Sequence, residues 1–500
     1  MTTVRMKGYA MTILRWFAWM GVTLALAGAL RAQGASSASG WQCTLLPESQ
    51  LTDDCICGRA AILAPVRGTF DVVPLEEGPL FATYLLTNLC FTASTTGRTY
   101  KVSGTGLCQI GGEVGVFQIA SLKVQINDGV SSQQCYLTND AGLALRLWPM
   151  MKVHLDQSNG TPGQLYRLDL AAAPFRELWF STTTGLTTGL WPAPSNALSA
   201  GDLLSSAGHV VKRNQQLTAS LGIMPVVPDL GLDAVDVLAG GEMVFSMPRA
   251  VFSETLGQFR DGDVLSDKGR VVRRYQELTA AFRPAVSMLD PGVDALQVLT
   301  NGEIYFSIRT NFWSLALAAS VRKGDLLSSA GWIVKKNEVL VAHLLPADTK
   351  PDYGLAAFHV WPSGEIWFTT ETGFSDIHAR TYQAGDLLSD QGYVVYRNLE
   401  LLATFAPMES RMGFGLDALL VVTDLVSPPP PAVLSGVALI ANSGSLSLRW
   451  TGQGRFFQLE RAASVAGPWV PASPLGTARS FSAEITDPTA PQVFYRLRQW

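Results

Sequence analysis

Charge is the first thing this 500-residue chain is short of. Only 16% of its residues are charged, where soluble domains usually carry about a quarter, while 47% are apolar. That balance excludes a disordered, solvated chain. The formal net charge of −4 makes the chain a poor candidate for the phosphate neutralisation that nucleic-acid binding demands, so nucleic acid is not an expected partner. Histidine is scarce as well. The five, His154, His209, His343, His359 and His378, are scattered, and neither H-E-x-x-H nor G-x-S-x-G occurs. Glycine-rich TGLCQIGGEVG lacks the lysine and the strand-to-helix setting of a phosphate loop. After the first 30 residues there is no apolar run of membrane-spanning length, and after Cys135 there is no cysteine. These absences leave no recognised catalytic, metal or cofactor signature.

What is present starts with an export-type leader. Arg5, Lys7 and Arg15 precede the apolar run WFAWMGVTLALAGAL, and small residues place a cleavage point after Ala29 or Ala32. Residues 1–32 hold four basic and no acidic residues, so cleavage takes the formal charge from −4 to −8. A secreted, periplasmic or cell-surface location follows, with no integral membrane span once the leader is gone. All six cysteines (Cys43, Cys55, Cys57, Cys90, Cys108 and Cys135) fall between 43 and 135. In an oxidising compartment two or three disulfides are expected there, with buried free thiols as the alternative and fifteen pairings open. Residues 41–173 read as alternating strands separated by Gly-rich and Asn-Gly turns, among them LFATYLLTNLCFTAS and RTYKVSGTGLCQI, and HLDQSNGTPGQLYRLDL as a hairpin tipped by Asn159-Gly160. A disulfide-containing β-sandwich or barrel is the reading for this part.

Residues 174–424 are repetitive. GDLLSSAGHVVKRN from Gly201 recurs as GDVLSDKGRVVRRY from Gly262, GDLLSSAGWIVKKN from Gly324 and GDLLSDQGYVVYRN from Gly385, a period of about 61 residues. Each copy follows a strand opened by a glutamate (Glu177, Glu242, Glu303, Glu365) and a loop of variable sequence. Each is followed by a final strand: GLDAVDVL, GVDALQVL, GLAAFHVW and GLDALLVV. Four strands per unit and four units point to a propeller-like ring, because one unit cannot bury its faces alone and a ring leaves no long open edge. Within the variable loops, FWSLALAASVRK has the composition of a short helix. The fold class is therefore all-β.

A Pro-rich linker, 425–432, leads to a final module at 433–500. Its Trp450 strand, the segment FQLERAASVAGPW and the terminal FYRLR resemble a fibronectin type III-like β-sandwich. The resemblance implies that Tyr495 takes the place of the corner tyrosine that bonds back to the main chain. The chain stops before the usual last strand. As a whole it resembles uncharacterised exported bacterial multi-repeat β-proteins ending in such an FYRLR module, a likeness that brings no reaction and no catalytic residues.

Several residue sets invite a functional reading. Asp202, Asp263, Asp325 and Asp386, one per repeat, would suit a calcium ion on the axis of a ring, but the S-x-x-G turn after each favours a backbone brace, and calcium ligands normally alternate along one loop. The repeated glutamates read as turn and edge charges rather than as catalytic acids. Asp233, Asp294 and Asp417 share a place in the final strands, where Ala356 stands in the third unit, so a symmetric acidic site loses a member. The recurring basic pairs, such as Lys212-Arg213, read as solvated edge residues. The variable loops carry the aromatics Trp191, Phe252, Phe312, Trp313 and Phe374, which either plug their own units or stack on a sugar or a protein partner.

An exported binding protein for a protein or glycan ligand, without a cofactor and more plausibly not an enzyme, fits these features. A secreted glycan-active hydrolase with its site in the mouth of the ring is one rival, and a structural envelope component the other. The hydrolase requires at least three non-repeated polar residues converging in one pocket; a binder is expected to show a shallow, aromatic-rimmed surface.

Overall fold

A computed structural model describes residues 4–5, 40–55, 58–140, 142–159, 164–286, 290–348, 352–410, 413–425, 429–440, 445–484 and 493–500. Apart from residues 4 and 5, the leader lies outside them. Among the described residues no helix is long and apolar enough to cross a membrane. One compact unit spans Gly40–Pro428 with Trp500, and the other contains Pro429–Gln499.

The first part of the larger unit is an antiparallel barrel. Its strands are β1 (Trp41–Leu45), β2 (Gln50–Asp54), β3 (Ile62–Glu77), β4 (Phe81–Thr95), β5 (Arg98–Gly111), β6 (Phe117–Asn127), β7 (Ser132–Thr138), β8 (Met151–Gln157) and β9 (Leu165–Ala173). Each pairs with the next from β3 to β9, and β1 and β2 together fill the place between β3 and β9, which closes the sheet. The sequence drives this through its alternation: β6 and β8 bury every second side chain. Phe70, Phe91, Tyr100, Leu122 and Leu168 fill the lumen.

The expected disulfide framework is corrected here. Cys43, Cys90, Cys108 and Cys135 are free, and Cys55 alone among the described cysteines is disulfide-bonded. Cys43, Cys108 and Cys135 sit on separate strands and pack into the lumen as small apolar groups, while Cys90 faces out. Burial pushes the Cys108 thiol up to about 12 and the Cys135 thiol to about 11. A closed hydrogen-bonded barrel with a filled lumen leaves these thiols no bridging role.

The repeats form four four-stranded antiparallel sheets, here called blades I to IV. From inside to outside, blade II is Ala234–Val237, Met243–Ser246, Val264–Ser266 and Arg270–Arg273. Blade III is Ala295–Val298, Ile304–Ser307, Leu326–Ser328 and Trp332–Lys335. Blade IV is Ala357–Val360, Ile366–Thr369, Leu387–Ser389 and Tyr393–Tyr396. Blade I joins Glu177–Phe180, Leu203–Ser205 and Val210–Lys212 to an inner strand from the far end of the repeats, Leu419–Val422. The inner strands pack side by side in the cyclic order I–II–III–IV–I. A ring results, locked where the last strand of the array completes the first blade.

Neighbouring blades cover both faces of each sheet, so strands such as AVDV and MVFS are buried at every position. One hydroxyl per blade crosses each seam: Ser181, Ser246, Ser307 and Thr369 donate to the carbonyls of Leu232, Val293, Leu355 and Leu416 in the next blade. After each outer strand comes a single helical turn: α1 (Asn214–Thr218), α2 (Tyr275–Thr279), α3 (Asn337–Leu340) and α4 (Asn398–Leu402). The variable loops are two-stranded hairpins, including FWSLALAASVRK, where Phe312–Ser314 pairs with Ala319–Val321 and no helix forms. Each hairpin reaches back to the preceding repeat, as Ser314 does to the Phe282 carbonyl. Barrel and ring are packed together, with Arg146 of the barrel stacked 3.5 Å from the Tyr393 ring centre.

In the C-terminal unit Val433–Ile440, Ser445–Thr451 and Ser480–Glu484 form one sheet, and Phe457–Ala462 pairs with Phe494–Gln499 and Val470–Pro471 in another. Leu448, Trp450, Phe457 and Leu459 form its core, and Tyr495 packs against it.

Candidate functional site

The four repeated aspartates are absorbed by their own units. Asp202 accepts from the backbone N–H groups of Ser199 and Asn214, at 3.0 and 2.9 Å, and pairs with Arg213 at 2.7 Å. Asp263 and Asp386 repeat the same set with Arg274 and Arg397. Asp325 accepts from Arg322 and Asn337. Each carboxylate thus joins the turn before one strand to the first residue of a helical turn, where an anion is favoured. The repeated glutamates are braces too: Glu177, Glu242, Glu303 and Glu365 accept from Ser205, Ser266, Ser328 and Ser389 of the adjoining strand. Among the described residues no group of three or more His, Cys, Asp or Glu could hold a metal ion.

The aromatics of the variable loops divide. Phe312 is buried edge-on to Phe282, and Phe374 lies between Tyr353 and Tyr382. Trp191 packs edge-on to Phe405. Phe252 and Trp313 stand exposed at equivalent places on adjacent hairpins. None of the five lines the cavity at the mouth of the ring.

This cavity, about 930 Å³, is at the end where the inner strands begin. It has two tiers, each with one residue per blade. The floor is Asp233, Asp294, Ala356 and Asp417, each just before an inner strand. The rim is Thr183, Pro248, Arg309 and Glu371, each just after the adjoining strand. A glycine two residues before each floor position lets the rim residue lie flat upon it. At Gly354 φ is +76° and an added Cβ would come within 2.5 Å of Glu371; at Gly415 φ is +69° and it would meet Thr183 at 2.3 Å. The backbone that positions the site therefore repeats, while the rim side chains do not.

The electrostatics of the floor are unusual. Burial raises Asp233 from its ordinary 3.8 to about 7, against the pull of Arg309. It raises Asp417 to about 6, against the pull of Arg309, and Asp294 well above the usual carboxylate range, with the neighbouring acids adding to the rise. Arg309 sits between the first and third of these, with Nη1 3.3 Å from Asp233 and Nε 3.7 Å from Asp294. Glu371 on the rim is paired with Lys323. The blade I and IV half is different. The Asp417 carboxylate has no hydrogen bond or ion pair among the described residues, and the Thr370 hydroxyl, buried in the lining of the same cavity, has no partner.

Sequence reasoning singled out Asp233, Asp294 and Asp417 but set them aside because Ala356 breaks their symmetry. It missed Arg309, Thr370 and Glu371. Their signal was available: aligned on the strand after each glutamate, the four units read SM-P, SI-R, TT-E and ST-T, a variable column beside an otherwise constant frame.

No family model and no curated protein matches the chain. Among solved structures it is similar to the extracellular domains of two hybrid two-component system proteins of B. thetaiotaomicron. The first is 10% identical, covering 86% of this chain and 74% of that one, and the second is 8% identical, covering 84% and 74%; the TM-score is 0.20 in both cases. Scores this low describe no shared fold.

Proposed function

We propose that this is an exported binding protein whose ligand sits in the two-tiered cavity at the mouth of the ring. The observation that carries the reading is the convergence on one cavity of three aspartates that precede inner strands, a guanidinium that ion-pairs with only two of them, and a buried hydroxyl without a partner. Burying carboxyls in this way costs folding free energy, and an unsatisfied buried hydroxyl adds to that cost. Groups held against such a cost are poised for something that satisfies them. The leader-type N-terminus supports an extracellular or cell-envelope setting.

A glycan-active hydrolase is the second reading. It is favoured by the raised carboxyls and by the non-repeated polar residues Thr183, Arg309 and Glu371, which meet the requirement for an enzyme pocket. Binding is preferred because glycoside hydrolysis needs two disengaged carboxyl groups, and Asp233 and Asp294 share one guanidinium, leaving only Asp417. The shallow aromatic rim expected of a binder is replaced by a polar basin.

The test is a thermal-shift screen of amines, amino acids, sugars and oligosaccharides against the wild-type chain and a Thr184→Trp variant, whose indole would overhang the mouth from an exposed lining position. A ligand at a hundredfold excess over Kd adds about 2.7 kcal/mol to wild-type stability. That gain is expected to vanish in the variant. Ligands that stabilise both proteins equally would remove the mouth as the site, and turnover of an oligosaccharide would establish the second reading.

A further inference from the structure

The two halves of the basin differ in a way that names its ligand. Between blades II and III the protein supplies its own cation: the Arg309 guanidinium lies between Asp233 and Asp294. Between blades IV and I no ion pair is made among the described residues, and Arg309 reaches Asp417 only through space. There the floor offers the unpaired Asp417 carboxylate, the missing carboxylate at Ala356 leaves room beside it, and the Thr370 hydroxyl, 1% exposed and lining the same cavity, has no partner. A carboxylate and a hydroxyl acceptor next to a vacant floor position form a receptor for an N–H donor that carries positive charge. The rim agrees, since Glu371 overhangs this half and already takes an ammonium, that of Lys323.

A bare metal ion does not fit these facts. The described residues contain no group that could hold one, and about 930 Å³ is far more than an ion fills. It is the size of a small-molecule pocket.

We propose that the blade I and IV half of the basin binds the ammonium group of an organic amine, with Asp417 as counter-ion and Thr370 as hydrogen-bond acceptor. This deepens the binding reading above and rests on it. The amine takes on this side the role that Arg309 takes on the other. Because Asp417 is raised to about 6 by burial, a bound cation lowers it again and drives a proton off, so amine affinity rises as pH rises through 5 to 7. A neutral polyol held by protonated carboxyl groups would show the opposite trend.

The experiment is titration calorimetry of the full chain with spermidine, cadaverine and glucosamine, and with 1,5-pentanediol and glucose as neutral counterparts, at pH 5.5 and 7.5. At least one amine is expected to bind, its neutral counterpart to fail, and the affinity to be about fourfold higher at pH 7.5, the change in the ionised fraction of Asp417. Protons should be released, read from the dependence of the heat on buffer ionisation. Asp417→Asn and Thr370→Val should each weaken the amine about tenfold, the loss expected for a hydrogen bond to a charged group. Their melting curves report whether they fold, and the pH and neutral-counterpart arms stand on the wild type alone. Glucose binding as tightly as glucosamine, or affinity falling with pH, overturns the amine assignment while leaving the basin as a site. Failure of every amine to bind also overturns it. Amine binding unchanged in both variants overturns the assignment and the basin reading together.

Discussion

Replacing Asp233 by asparagine should make the protein more stable at pH 8 and leave it unchanged at pH 4. Asp233 is buried, and its carboxyl group is raised from 3.8 to about 7 because burial penalises the charged form more than Arg309 relieves it. A displacement of that size corresponds to about 4 kcal/mol. The direction follows from linkage. Between about pH 4 and pH 7 the folded chain keeps a proton that the unfolded chain has released, so wild-type stability falls as pH rises through this window, by at most about 1.4 kcal/mol per pH unit from this group. Above pH 7 the full cost of a buried carboxylate is present. Asparagine has the same shape and no charge. Part of the gain is given back because Arg309 loses one partner, yet that side chain is 39% exposed and keeps Asp294. A net stabilisation of about 2 kcal/mol at pH 8 is therefore expected, shrinking to zero near pH 4. Urea denaturation of wild type and Asp233→Asn at pH 4, 6 and 8 measures it. An Asp233→Asn protein that is less stable at pH 8, with a deficit growing with pH, would show that the carboxylate is a net stabilising structural ion pair, and the case for a basin strained toward a ligand would lose its energetic basis.

Other expectations follow from the seams and braces. Lys335 of blade III pairs with the fully buried Asp390 of blade IV, so Lys335→Met should cost about 3 kcal/mol, whereas Arg273→Met, at the equivalent but exposed place in blade II, should cost under about 1 kcal/mol in the same denaturation assay. Asp386→Ala removes the acceptor for Gln383, Asn398 and Arg397 and should cost about 2–3 kcal/mol, while millimolar calcium leaves the wild-type Tm in place; a calcium-induced rise of several degrees would contradict the brace role. In the native protein a thiol reagent should modify Cys90 quickly and Cys43, Cys108 and Cys135 only on unfolding, and rapid reaction of one of those three would contradict their place in the barrel lumen.

The strands of the barrel and the blades were legible because their burial is periodic or continuous: β8 alternates, and MVFS is apolar because a neighbour covers each face. Other features depended on partners far away in the chain. A repeat reveals its period but not its phase, so nothing local shows that Leu419–Val422 completes the blade of Glu177–Phe180 rather than a blade of its own. FWSLALAASVRK is apolar enough for a helix, and its hairpin is set by Ser314 bonding to Phe282 of the previous repeat. The cysteines pointed to staples because compartment and spacing say nothing about which side of a strand a thiol faces.

The site was hidden for a different reason. A symmetric ring site calls for an acid in every unit, and Ala356 breaks that pattern. In a ring built from copies, however, a ligand without fourfold symmetry cannot be met by four equal residues. Some copies must depart from the repeat, and the departures have to fall at the same end of the ring. Ala356 in the floor and Thr183, Pro248, Arg309 and Glu371 in the rim do so, around glycines that hold the backbone constant. The structural aspartates repeat because every turn needs one. On the binding reading proposed above, the floor aspartates stop at three because the fourth place is left to the ligand, and the break in the repeat, rather than the repeat, marks the basin.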